Sequence, residues 1–145
     1  MSHNASFWFI CLFVLLIILE ALFPLDFGLL YLREVGLFLL SLSLIIAIWS
    51  KYLYSRYHTS YNPDDKPLVL ITHSLYAISR NPIYFALTLG FLGISLVLSL
   101  SYSLLGTFFL YLILSKLIIP HEEEELRKIF TQSYLKYEAA VPKWL

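Results

Sequence analysis

IYFALTLGFLGISLVLSLSYSLLGTFFLYLILSKLII, residues 83–119, carries a single charge, Lys116. At about 1.5 Å rise per residue, one straight helix of this length would run far beyond a hydrocarbon core roughly 30 Å thick. The stretch must fold back on itself, and its polar run Ser99-Leu100-Ser101-Tyr102-Ser103 is the place for the turn. Residues 82–98 and 102–119 are therefore read as a tight hairpin of two membrane spans.

Upstream, residues 7–23 form an apolar run broken only by Glu20, after which Pro24, Asp26 and Gly28 mark a break. A further apolar stretch covers residues 33–54, and both fit the roughly 17 to 25 residues a bilayer helix needs. The expectation is an all-α integral membrane protein of about four transmembrane helices, folded as one domain over residues 1–145. Its polar parts are a loop, 55–81, and a tail, 120–145. The composition agrees, with 59% hydrophobic and 14% charged residues, where soluble domains carry about a quarter charged. The ten Lys and Arg balance the ten Asp and Glu, so no basic field points to a nucleic-acid partner.

Lys51, Arg56, Lys66 and Arg80 fall at or in the loop, and Arg127, Lys128, Lys136 and Lys143 in the tail, against Arg33 on the other side. The positive-inside rule then places loop and tail together in the cytoplasm, in a bacterial cell at the inner membrane. No Lys or Arg precedes the first apolar run and no small-residue cleavage pattern follows it, so that run is expected to stay as a span. Cys11 lies within it and reads as packing or lipid-facing. Glu20 reads as an acid snorkelling to the far interface, with a functional role as the alternative. His3, His58 and His121 show no ligand spacing, and no metal site is expected.

Two polar segments are left to carry chemistry. In LVLITHSLYAISRNPIY, residues 68–84, Asn81 is a good helix N-cap and Pro82 is pre-set for the first helical position. Arg80 beside Tyr76 and Tyr84, at free helix N–H groups, also makes an anion site, and the two readings are compatible. In PHEEEELRKIFTQSYLKYEAAVPKWL, residues 120–145, Pro120 is expected to end the fourth span. Leu126, Ile129, Phe130, Tyr134 and Tyr137 recur at helical spacing, so a C-terminal amphipathic cytoplasmic helix follows. Glu124 faces Lys128 at i, i+4 and reads as a solvated pair. Glu122 and Glu123 share the inward face of Leu126, where a carboxylate needs a cation. Arg80 is one candidate for that cation and a bound cationic ligand is the other.

Tyr76, Arg80, Asn81, Pro82 and Tyr84, then an apolar hairpin, then Glu122, Glu123, Leu126, Phe130, Tyr134 and Tyr137 resemble the isoprenylcysteine carboxyl methyltransferase and phospholipid methyltransferase superfamily. The upstream HTSYNP, residues 58–63, resembles the loop lead-in of its bacterial members. Ser74 and Thr131 stand where relatives have glycine, so the local backbone is expected to differ if those glycines supply a positive φ. Asn81 stands where eukaryotic members have histidine.

The resemblance implies a membrane methyltransferase domain that uses S-adenosylmethionine as cofactor. Its implied cofactor-binding residues are Leu75, Tyr76, Asn81, Tyr84, Glu122 and Glu123: the backbone of Leu75 and Tyr76 with Asn81 would take the cofactor carboxylate, Glu122 and Glu123 its cationic portion, and Tyr84 its sulfonium. Arg80 and Glu123 are the implied catalytic pair. The acceptor is a lipophilic molecule or lipid, most simply an isoprenylcysteine-like carboxylate oriented by Arg80, with an amine phospholipid as the alternative. A non-enzymatic membrane scaffold is the competing class. The sequence leaves the acceptor and the oligomeric state open.

Overall fold

The structure is a computed structural model that describes residues 5–25, 32–57 and 68–144. His3, His58, Lys66, Asp26, Gly28 and the HTSYNP lead-in lie outside the described residues. Every regular element among the described residues is helical: α1 (Ala5–Leu22), α2 (Arg33–Arg56), a short 3₁₀ turn (Ser74–Ala77), α3 (Pro82–Val97), α4 (Ser103–Ile113), a π-helical turn (Leu114–Ile118) and α5 (Ile119–Ala140). Among the described residues three helices are long and apolar enough to cross a membrane: α1, α2 and the continuous run Ser103–Ala140. The shorter apolar α3 joins them. Large apolar side chains such as Leu104 (74% exposed), Ile48 (68%) and Phe38 (67%) face outward, as they do where hydrocarbon is the solvent. The chain is an all-α integral membrane protein.

The hairpin forms where the serine run expected it, with α3 ending at Val97 and α4 starting at Ser103. Glu20 is explained by that turn: its carboxylate accepts hydrogen bonds from the Ser101 N–H at 2.7 Å and the Ser101 hydroxyl at 2.9 Å, tying α1 to the hairpin tip. It satisfies backbone that hydrocarbon cannot. Cys11 is exposed on α1 and faces outward.

α2 and α3 pack almost backbone to backbone. A Cβ on Gly36 would lie 2.8 Å from the Gly93 carbonyl oxygen, and one on Gly93 2.8 Å from the Leu40 nitrogen. Small residues permit this approach, and the Ser43 hydroxyl adds a 2.8 Å bond to the Ala86 carbonyl. Two apolar cores result. One, around Phe91, Leu110 and Leu114, joins α1, α3 and α4, with the rings of Phe9 and Phe13 edge-on to Phe91 at 5.1 and 5.8 Å. The other, around Leu53, Tyr76, Tyr134 and Tyr137, ties α2 and the 3₁₀ turn to α5.

Pro120 does not end the helix, although the apolar run stops there. The helix runs on into α5 because the π turn at Leu114–Ile118 immediately precedes the proline. A proline ring clashes with the carbonyl four residues back, here that of Lys116, and the wider π turn removes the i→i−4 geometry that causes the clash. The break comes later, at Thr131, whose φ of 42° and ψ of −114° bend α5.

Against the expectation of a different local backbone, Ser74 and Thr131 both take the positive φ that glycine favours: φ is 60° at Ser74 and 42° at Thr131. The conformation is held here by side chains that resist it, most of all at β-branched Thr131, where such strain costs on the order of 1–3 kcal/mol. Thr131→Gly is therefore expected to raise stability by about 1–2 kcal/mol, measured as a higher thermal midpoint in detergent. An unchanged or lower midpoint would show that the bend carries no strain.

Candidate active site

Most of the residues singled out in the two polar segments meet at one end of the bundle, where α3 begins and α5 leaves the apolar span. Asn81 occupies the N-cap position of α3 with φ −129° and ψ 54°, and Pro82 takes the first helical position, but the Asn81 side chain makes no capping bond. Its amide crosses to α5 and beyond: Nδ2 donates to the Lys143 carbonyl at 3.2 Å and toward Glu123 Oε1 at 3.5 Å. Both neighbours are acceptors, so the nitrogen faces them and Oδ1 remains as an acceptor.

Arg80 and Glu123 are brought together, as the spacing of the segments allowed. Arg80 Nη1 lies 3.3 Å from Glu123 Oε1 and 2.9 Å from Glu138 Oε1, with side-chain exposures of 9%, 5% and 25%. Arg127 completes the cluster, gripping Glu138 with Nε at 2.9 Å and Nη2 at 2.6 Å. It also reaches Glu123 Oε2 at 3.9 Å, and Lys143 Nζ approaches the same oxygen at 3.7 Å. Glu123 thus has three cationic side chains around it. The Arg127 hydrogen bonds, opposed in part by burial and helped by Arg80, hold the Glu138 carboxyl down at about 2. Burial, with the Glu123 charge, pushes the Tyr134 phenol up to about 12. Arg80 Nε is buried without an acceptor among the described residues, the kind of group that a bound anion or water satisfies.

Glu122 is different. It is partly buried, and among the described residues no ion pair to a Lys or Arg side chain reaches it; its carboxylate accepts the hydroxyl of Tyr84. Burial pushes its carboxyl above the usual range, and the Tyr84 hydrogen bond offsets this only in part. The two glutamates that the sequence treated alike are therefore divided, one saturated with cations and one without. Glu124 and Lys128 form the expected exposed pair at 2.8 Å.

Leu75 and Tyr76 sit on the 3₁₀ turn. The Tyr76 N–H donates to the His73 carbonyl at 3.2 Å, and the Tyr76 carbonyl accepts the Tyr137 hydroxyl at 2.6 Å. The Tyr76 ring is buried in the second core, edge-on to Tyr54 at 5.8 Å. Leu75 instead lines an apolar groove of about 420 Å³ with Ile45, Ile46, Trp49, Ser74 and Ile78, and the Trp49 indole N–H donates to the Ser74 hydroxyl at 2.9 Å.

Sequence reasoning missed Glu138 and Arg127. They are eleven residues apart, about 16 Å along a straight helix, and only the bend at Thr131 lets them meet. The glycine position of the relatives was the signal available, since it marked where the helix turns.

The family model described as phospholipid methyltransferase matches residues 32–133, which is more than half of the chain and includes Arg80, Asn81, Tyr84, Glu122, Glu123 and Arg127. No curated protein and no solved structure matches the chain. With its apolar helices, its paired motifs and this match, the chain belongs to the phospholipid methyltransferase family, within the superfamily of membrane methyltransferases that includes the isoprenylcysteine carboxyl methyltransferase type.

Proposed function

We propose that the protein transfers a methyl group from S-adenosylmethionine to a lipophilic acceptor, and that the end of the bundle carrying Arg80 and Glu123 faces the cytoplasm. The observation that carries this reading is Glu122, a partly buried carboxylate with no Lys or Arg side chain paired to it among the described residues, 38 positions along the chain from the Tyr84 hydroxyl that holds it. A carboxylate withdrawn from water without a counter-charge is costly, and a bound cation relieves the cost. The residues present suit the cofactor. Glu122 would hold its positive charge, Tyr84 would offer an aromatic face beside that carboxylate, and Asn81 Oδ1 would accept a donor group. S-adenosylmethionine supplies, when bound, a methyl group activated by a sulfonium.

The chain's own contribution is alignment and exclusion of water, which suffices for a displacement that disperses charge. The network of Arg80, Glu123, Glu138 and Arg127 fastens the start of α3 to α5 and so fixes the wall on which Glu122 and Tyr84 stand. The arrangement suits an amine-bearing acceptor, because Glu122 attracts a cationic group while Arg80 Nη1 is already engaged by Glu123 and Glu138. Glu122, whose carboxyl is raised by burial, is the base available for the proton such an acceptor must lose.

Calorimetry on the detergent-solubilised protein is expected to show one S-adenosylmethionine site, and membranes given methyl-labelled donor are expected to label an amine lipid. Labelling of a carboxylate lipid would move the reading to ester formation. An absence of donor binding, with an unchanged thermal midpoint on adding S-adenosylhomocysteine, would favour a non-enzymatic membrane scaffold.

A further inference from the structure

Residues 141–144, which follow α5, lie beyond the stretch that the family model matches, yet they cross the site like a strap. Val141 leaves the helix in extended conformation, φ −124° and ψ 131°, with its N–H still bonded to the Tyr137 carbonyl at 3.0 Å. The strap then runs over residues 79–81. Pro142 O accepts the Arg80 N–H at 3.0 Å, and Lys143 O accepts both the Ser79 hydroxyl and the Asn81 amide at 3.2 Å. Its two ends are anchored in different cores. Val141 is buried with Tyr76, Tyr134 and Tyr137. Trp144 packs against the core of Leu110 and Leu114, its ring 5.1 Å from that of Tyr111 and its indole N–H 3.4 Å from the Ser115 hydroxyl.

A strap held at both ends does more than cover the motif. The Asn81 amide can turn over by half a rotation at little cost unless its partners choose one orientation. The Lys143 carbonyl, the nearer of the two acceptors at 3.2 Å against 3.5 Å for Glu123 Oε1, makes most of that choice: it demands the nitrogen, which leaves Oδ1 as the group offered to a ligand. The same carbonyl, with Lys143 Nζ at 3.7 Å from Glu123 Oε2, keeps residues 79–81 in register with α5. We infer that Trp144 and the Lys143 main chain are positioning elements of the site, with the Trp144 indole as the anchor that holds the strap on residues 79–81. The inference rests on the methyl-transfer reading only for the ligand that the site takes.

The test compares Trp144→Ala and Trp144→Phe in the full chain, in detergent. Two readouts are followed: hydrogen exchange of the peptide containing Arg80, and the kinetic constants for S-adenosylmethionine. Trp144→Ala is expected to lose protection at the Arg80 amide and to raise the donor KM about tenfold, with kcat changed less than twofold, since a displaced binding group costs on this scale. Trp144→Phe, which keeps a ring against Tyr111, is expected to restore both. Faster exchange with an unchanged KM would overturn the positioning role, and unchanged exchange would overturn the anchor. If the parent protein neither binds nor uses S-adenosylmethionine, the methyl-transfer reading fails, and the exchange data still decide whether Trp144 holds the strap. Should Trp144→Ala not fold, Tyr111→Leu removes only the ring beside the indole and carries the same expectation at lower amplitude.

Discussion

Glu122→Gln is expected to weaken S-adenosylmethionine binding at least thirtyfold while leaving the protein as stable as the parent or more so. The two halves of this expectation come from one fact, that among the described residues Glu122 has a hydrogen bond from Tyr84 but no Lys or Arg side chain paired with it. Removing one member of a desolvated charge pair costs roughly 2–5 kcal/mol, and the lower bound already corresponds to about thirtyfold in Kd. Gln keeps an oxygen for the Tyr84 hydroxyl and loses only the charge.

The stability half has a definite sign. The Glu122 carboxyl is raised by burial, so the folded state binds its proton more tightly than the unfolded chain. Stability is then lost as pH rises through the ordinary glutamate range toward the raised value, so above that range the group contributes less stability than a neutral side chain in its place. Substitution by Gln removes that deficit. Calorimetry and a thermal melt in the same detergent check both halves. Undiminished binding would assign the cation elsewhere, and a lowered midpoint would make Glu122 a structural charge.

Arg80→Ala should do the opposite, with a loss of stability of about 3–5 kcal/mol, the range for removing one partner from a buried ion pair. Its side chain is 9% exposed and stands against Glu123, 5% exposed, and Glu138, 25% exposed. Arg127→Ala, at a side chain 40% exposed, is expected to cost less, and Glu124→Ala, which removes an exposed partner of Lys128, nothing measurable. Acidification gives a second handle. Glu138 is held down at about 2, so its contribution is complete above the ordinary glutamate value and is lost as pH falls toward 2. The parent is expected to lose stability through that window more steeply than Arg80→Ala. Thermal midpoints between pH 6 and pH 3 test this, and an Arg80→Ala midpoint equal to that of the parent would remove the network from the account of the fold.

The hairpin, the amphipathic α5 and the exposed Glu124 pair were legible because each depends on local periodicity and on the mismatch between an apolar run and the bilayer. The meeting of Arg80 with Glu123 was legible as one of two options, since a buried carboxylate narrows its partners to a cation of the chain or of a ligand. The division of labour between Glu122 and Glu123 was not. Adjacent residues on one helix have nearly the same periodicity, and only the placement of Arg127, Lys143 and Tyr84 in space gives one glutamate three cations and the other a phenol.

What the sequence alone determined is the solvent of this protein and the order of its apolar helices. Thirty-seven residues with a single charge leave the chain no alternative to lipid and no alternative to a turn at the serine run. Tertiary structure decided the chemistry of the charged end. A π turn carries the helix past Pro120, and a bend at Thr131 then closes the gap between Arg127 and Glu138. The strap also turns the Asn81 amide away from capping its own helix. These outcomes depend on backbone departures of one or two residues, whose cost is set by what they bring into contact far along the chain, and such contacts leave no period in the sequence.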